Sequence, residues 1–218
     1  VVANKVTNRG HDRSHLLEMA KAAQAEIGGS GMIALADRGY YEGEQIRSCA
    51  EAGIIPMVPK PNTSPAEARG FWGKAMFVHE PETDTYRWPA GEQLQKRFAR
   101  VEGRKLIGVY FNQKACGACA SRHLCTAGKE KRIRRWEHEA VLDQMERRFD
   151  TIPEAMAIRR CTVEHVFGTI KGWMGATHFR TRGLKNVTTE ASLTILAYNI
   201  KRAIAVAGVT STLKVIKG

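Results

Sequence analysis

The five-residue apolar run at 32–36 (MIALA), closed by Gly31 and Asp37, is too short for a helix and offers no position to water. Such a run predicts a strand buried on both faces, as in parallel sheets whose crossovers carry helices. Its flanks fit. Residues 1–6 (VVANKV) read as a strand entering a turn at Asn8-Arg9-Gly10. Asp12 or Ser14 is placed to cap a helix whose apolar stripe is Leu16, Ala20, Ala23 and Ile27, stopped by Gly28-Gly29. A second helix is expected over 42–52, ended by Gly53, and 54–58 (IIPMV) reads as a strand that Pro56 places near an edge or bulge. Strand, helix, strand, helix, strand is the α/β class.

The rhythm then breaks. Residues 60–73 are polar and carry prolines, and Met76-Phe77-Val78 and Tyr86-Arg87-Trp88 flank the turn-like stretch 80–84, predicting a hairpin. Leu106 to Phe111 is a further strand. Helical periodicity returns at 137–149, and a last helix is expected over 189–207 with Leu193, Leu196, Ala197, Ile200 and Ile204 buried and Gly208 as its stop. The expected organisation is 1–59 as the first part of the core, 60–135 as a β-rich insertion, and 136–218 as a helical second part.

Charge narrows the partner. The chain carries a formal +12, of which +8 falls after position 158, where ten Lys and Arg face only Glu164 and Glu190. Such a concentration fits a polyanion, most simply nucleic acid, against the alternative of a basic protein kept soluble by its charge. No apolar run is long enough to cross a bilayer and no secretory signal is visible, so a soluble cytoplasmic protein is expected.

The stretch 151–177 carries the chemistry. Thr151-x-x-Glu154 spells a capping box, and at 3.6 residues per turn Arg160, Glu164 and Lys171 share one helical stripe with Phe167 beside them. A carboxylate flanked by two bases suits a face that meets a metal ion and a phosphate. The plainer reading is an amphipathic helix with an intrahelical Arg160–Glu164 pair. Asp37 ends a strand before a glycine-containing turn, the edge at which open α/β sheets bind ligands, although Asp is also a common turn former. His165 is read as packing or a satisfied polar contact.

Ala36-Asp37-Arg38-Gly39-Tyr40, Arg160-x3-Glu164-x6-Lys171, Phe179-Arg180-x-Arg182-Gly183-Leu184 and Leu196-Ala197-Tyr198-Asn199 together resemble the DDE transposases of bacterial insertion sequences, in the branch with a cysteine-bearing insertion before the Glu helix. The resemblance covers nearly the whole chain. It implies an RNase H-like core, a mixed sheet flanked by helices, in which three carboxylates hold Mg²⁺ or Mn²⁺. Asp37 would be the second acid and Glu164 the third. Arg160 and Lys171 would be the basic members of the Tyr-Arg-Glu-Lys signature, whose Tyr position falls on Ala157; Arg180 and Arg182 join them as DNA-binding residues. It also implies DNA ends and target DNA as partners and a homo-oligomer that pairs the ends. The first acid of the family lies on the first strand, and Asp12, after Gly10 at a helix start, is misplaced for it. The chain opens on Val1 and is expected to be a C-terminal catalytic-core fragment that lacks its first strands and first Asp and is inactive alone.

Cys116-x2-Cys119-x5-Cys125 offers three thiolates for Zn²⁺, with His123, His138 or Cys161 as a fourth ligand; free thiols in a turn are the equal alternative, and a disulfide is disfavoured by the odd count of five. The basic run 129–135 could face phosphates or water. The competing functional reading is a basic DNA-binding module, zinc-stabilised or not, without chemistry. Another metal-dependent nuclease on the same core comes third.

Overall fold

The computed structural model describes residues 1–89 and 91–217. The chain folds as two compact units, one formed by Val1–Lys60 with Gln144–Gly218 and the other by Pro61–Asp143.

In the first unit, helix α1 (Leu16–Ile27) leads to strand β1 (Ile33–Leu35), helix α2 (Gly43–Glu51) and strand β2 (Ile55–Met57). Strands β1 and β2 pair in parallel with Ala34 opposite Pro56. Pro56 has no amide hydrogen to donate, which suits an outer strand. The buried residues Ile46, Cys49, Ile54, Met57 and Val58 come from α2, β2 and their flanks. Glu42 caps α2 by accepting from Gln45 N, and Gln45 in turn accepts from Leu17 N at the start of α1. Three expectations are corrected here. Residues 1–6 form no strand; they lie beside a later helix, with Asn4 Nδ2 donating to Ser192 Oγ and Asn199 Nδ2 to Val1 O. Helix α1 is preceded by His15, without a side-chain cap, and neither Asp12 nor Ser14 fills that place. Strand β1 is not buried on both faces, since Ile33 is 46% exposed.

The second unit is an antiparallel sheet in the order β3-β4-β5-β6-β7: β3 (Val78–Glu80), β4 (Thr85–Arg87), β5 (Gln93–Glu102), β6 (Lys105–Phe111) and β7 (Ile133–Trp136). The β3–β4 turn closes through Asp84 at φ 49°, a left-handed position that Asp tolerates better than most residues. Between β6 and β7 lie the short helices α3 (Gln113–Ala118) and α4 (Arg122–Cys125). Phe77, Tyr86, Trp88, Leu94, Tyr110 and Ile133 pack with Cys116 and Cys125 into one core. Parallel and antiparallel pairing thus occupy separate sheets, and the expected mixed sheet is not formed among the described residues.

Helix α5 (Glu139–Thr151) is followed by a continuous helical stretch over 155–173. It begins as α6 (Ala155–Arg159), widens to a π-helix at Arg160–Glu164, returns to α7 (His165–Gly168) and widens again at Thr169–Trp173. The expected capping box is absent: α5 runs through Thr151, whose hydroxyl bonds back to Arg148 O, and Glu154 precedes α6 without a side-chain cap. Helix α8 (Leu184–Ala207) starts earlier than expected, and α9 (Val209–Lys217) follows Gly208. Its anticipated buried stripe is exposed: Leu193 is 61% and Leu196 54% accessible, while Tyr198 is the buried residue of α8. Apolar residues surround α8, and a helix of that kind presents no single face to a core.

Candidate active site

Asp37 stands just past the carboxyl end of β1 and caps a single 3₁₀ turn over Arg38–Tyr40, its Oδ1 accepting from Gly39 N at 2.8 Å. A Cβ at position 39 would lie 2.9 Å from Asp37 Oδ1, so a larger residue there would have to displace the carboxylate. The other oxygen, Oδ2, accepts from Arg159 Nη2 at 3.0 Å, and Arg159 is largely buried while Asp37 is half-exposed. Burial raises the Tyr40 pKa, the carboxylates of Asp12 and Asp37 add to the rise, and Arg159 opposes it. These four side chains therefore share one electrostatic neighbourhood. Sequence reasoning passed over Arg159 for its neighbour Arg160. The 122-residue separation of the pair left no local signal to correct that choice.

Glu164 is the last residue of the first π-helical segment, five positions after Arg159, and is exposed. Its carboxylate makes no hydrogen bond or ion pair among the described residues, and neither does the side chain of Arg160; the plain Arg160–Glu164 pair is not formed. Five-residue closures break the 3.6 periodicity on which the stripe of Arg160, Glu164 and Lys171 depended. The Phe167–Lys171 part of it survives, with Lys171 Nζ 5.8 Å from the Phe167 ring centroid. Ala157, at the signature's Tyr position, is exposed.

Arg180 and Arg182 lie in the segment before α8. Glu190 fixes that segment by accepting from the backbone of Arg180 and Thr181 and from the Thr181 hydroxyl, contacts that lower its pKa. The guanidinium groups themselves make no ion pair among the described residues, although the Arg180 charge contributes to the lowered Glu190 pKa.

The described residues contain no group of three or more His, Cys, Asp or Glu side chains arranged to hold a metal ion. At Asp37 each carboxylate oxygen accepts one hydrogen bond, one of them from a cation. Among the described residues neither the expected Mg²⁺ centre nor the possible Zn²⁺ site is assembled. Cys116, Cys119 and Cys125 do line one cavity of about 10 Å³, together with Trp72, Trp88 and Lys131. None of His123, His138 and Cys161 lines it: His123 bonds Ala120 O, His138 stacks on Trp136, and Cys161 is exposed in the π-helical segment. Burial pushes the Cys125 thiol up, against the opposing charge of Lys131. Lys131 Nζ donates to the carbonyls of Trp72 and Cys125. This is how thiols behave as small core residues.

The site thus presents an acid at a strand end, held by an arginine from a helical stretch that carries a second acid. The family profile described as Transposase DDE domain matches residues 88–204, more than half of the 218 residues, and the chain belongs to that family. The match takes in Glu164, Lys171, Arg180, Arg182 and the three clustered cysteines, and begins after Asp37. No curated protein and no solved structure matches the chain. Membership makes this a transposase-domain protein whose partner is DNA. Among the described residues no helix is long and apolar enough to cross a membrane.

Proposed function

We propose that this chain serves the DNA cutting and joining of a bacterial insertion-sequence transposase, with Asp37 and Glu164 as its acids. Arg160, Lys171, Arg180 and Arg182 hold DNA phosphates in this reading, and copies of the chain pair the element's ends. The observation that supports it best is the Arg159–Asp37 ion pair. It ties the end of β1 to the helix on which Glu164 stands free five residues later. The cysteine-bearing second unit supports the insertion-sequence branch in particular.

The reaction class is phosphodiester hydrolysis followed by transesterification. Water adds to phosphorus as the P–O3′ bond breaks, and the freed 3′-hydroxyl then attacks a target phosphodiester, forming a new P–O3′ bond as the target's own P–O3′ bond breaks and its 3′-oxygen leaves with the proton. Metal ions supply charge neutralisation and water activation to enzymes of this class. Among the described residues no three-acid group is assembled to hold them, and the residues on hand account for binding and orientation. The free cations neutralise phosphate, the Glu164 carboxylate stands ready as an acceptor, and Arg159 keeps the Asp37 oxygens in place.

Duplex DNA carrying a terminal repeat, titrated with the 218-residue chain in Mg²⁺ or Mn²⁺, tests this. Expected are salt-sensitive binding and no nicked product from this chain alone. Binding that ignores salt sinks the proposal, and multiple turnover refutes the incompleteness of the acid site. The absence of a three-acid group also favours a second reading, a DNA-binding module without chemistry. Glu164→Gln separates the two: loss of strand transfer by the assembled transposase supports the enzyme, and unchanged transfer supports the module.

A further inference from the structure

A cavity of about 340 Å³ in the first unit has no role in the reaction described above. That volume falls at the small end of the range of roughly 300–1,000 Å³ typical of small-molecule sites. Its wall is mostly apolar, with Ile170 and Ile195 among the lining residues, and it includes Phe167 and Phe179, which remain 55% and 54% exposed. His15 also lines it, only 6% exposed, and neither ring nitrogen has a hydrogen-bond partner. Glu18 Oε2 stands 3.7 Å from Nδ1, outside hydrogen-bond reach. A buried imidazole with no hydrogen bond, its Nδ1 facing only the Glu18 carboxylate, carries a desolvation cost that a ligand with donor and acceptor edges would relieve. Cations adjoin both phenylalanines: Lys171 Nζ lies over the Phe167 ring, and Arg180 follows Phe179 in the chain. Neither cation makes an ion pair among the described residues, although the Arg180 charge helps to lower the Glu190 pKa.

Aromatic faces, a buried imidazole with no hydrogen bond and a lysine over one of the rings suit one ligand chemistry, a nucleotide drawn out of its stack. We propose that this cavity receives an unstacked base of a DNA strand. Phe167 and Phe179 supply the stacking faces, His15 bonds the base edge, and Lys171 and Arg180 take the adjoining phosphates. The proposal rests on DNA being the partner, and it adds a position at which the strand must come unpaired.

The test compares two probes by fluorescence anisotropy at fixed salt, using the full chain. One is a single-stranded DNA of about 15 nucleotides, and the other is the same backbone made wholly of abasic residues. The wild-type chain should bind the base-bearing strand about tenfold more tightly, the scale of one or two stacked bases. Phe179→Ala and His15→Gln should each cut that ratio at least threefold and leave abasic affinity unchanged, whereas Lys171→Ala should weaken both probes in proportion. Phe179 is more than half exposed, so its replacement spares the fold; circular dichroism checks His15→Gln. Equal wild-type affinity for the two probes overturns the proposal, as expected if the cavity is filled by protein instead of a base. A ratio that survives Phe179→Ala overturns it as well. If the chain binds neither probe, the DNA-binding reading itself fails with it, a result distinct from the loss of base preference alone.

Discussion

Asp37 shows how much one carboxylate can be asked to do. One oxygen closes the turn that follows β1, and the other holds the arginine that anchors the helix of Glu164. Removing either partner of a mostly buried pair strands the other, while the half-exposed side of this pair lets water soften the loss. Asp37→Asn and Arg159→Ala should therefore each cost about 1 kcal/mol. In urea titrations the double variant should lose measurably less than the sum of the singles, because the two residues share one interaction. Full additivity would mean that the pair contributes nothing to holding helix to strand. Gly39→Ala tests the same point from the backbone side. A Cβ 2.9 Å from Asp37 Oδ1 must push the carboxylate off its turn, at a cost of about 1 kcal/mol, and that cost should shrink in an Asp37→Ala background. The aspartate was legible in the sequence as a strand-end acid. Its cation was not, because the choice between Arg159 and Arg160 depends on the phase of a helix that departs from 3.6 residues per turn.

At the scale of elements, legibility followed local chemistry. The β3–β4 hairpin could be read because the 80–84 stretch carries turn residues between strand-formers, and the stops of α1 and α8 because Gly28 and Gly208 adopt positive φ. The α8 stripe misled because every side of that helix offers apolar residues, so periodicity could not select a buried face. Residues 1–6 look like a strand by composition, yet they bond to side chains of α8 and join no ladder. The polar network inside the second unit had no sequence signature, since its members come from β3, the following turn, β5 and β6. Burial alone would push the Asp84 carboxyl up. The Tyr110 hydroxyl at 2.6 Å, Lys96 at 2.9 Å and His79 at 3.2 Å outweigh that and hold it at about 2. A carboxyl depressed in the folded state adds stability above its ordinary value of 3.8, and that contribution fades as pH falls from about 4 toward 2. Tryptophan fluorescence during acid titration should show the sheet weakening across that window in the wild type. Asp84→Asn tolerates the same left-handed backbone and should flatten this dependence; an unchanged acid limb would show that the network carries no linkage.

The whole molecule is a strongly basic chain whose free cations gather in one sequence region. Of its +12 charge, +8 lies beyond position 158, and Arg160, Lys171, Arg180 and Arg182 make no ion pair among the described residues. A cation already paired within the protein must break that pair before it can displace a counterion from DNA, whereas an unpaired one contributes in full. Each phosphate neutralised steepens the dependence of log K on log salt by about 0.9 for duplex DNA. If all four residues meet phosphate, single alanine variants should each lower the slope by roughly 1, and the fourfold variant by roughly 3 to 4. Arg47 gives the control: it sits between Glu44 and Glu51, and Arg47→Ala should leave the slope where it was. Glu164→Gln works in the opposite sense, because an uncompensated carboxylate among these cations repels phosphate; its removal should tighten duplex binding a few-fold with little change in slope. Four alanine variants that bind with the wild-type slope would move the DNA away from this helix and its following segment, and Glu164 would then be an ordinary solvated acid. Slopes that fall one by one would place the strand across the helix that the Arg159–Asp37 pair fastens to β1.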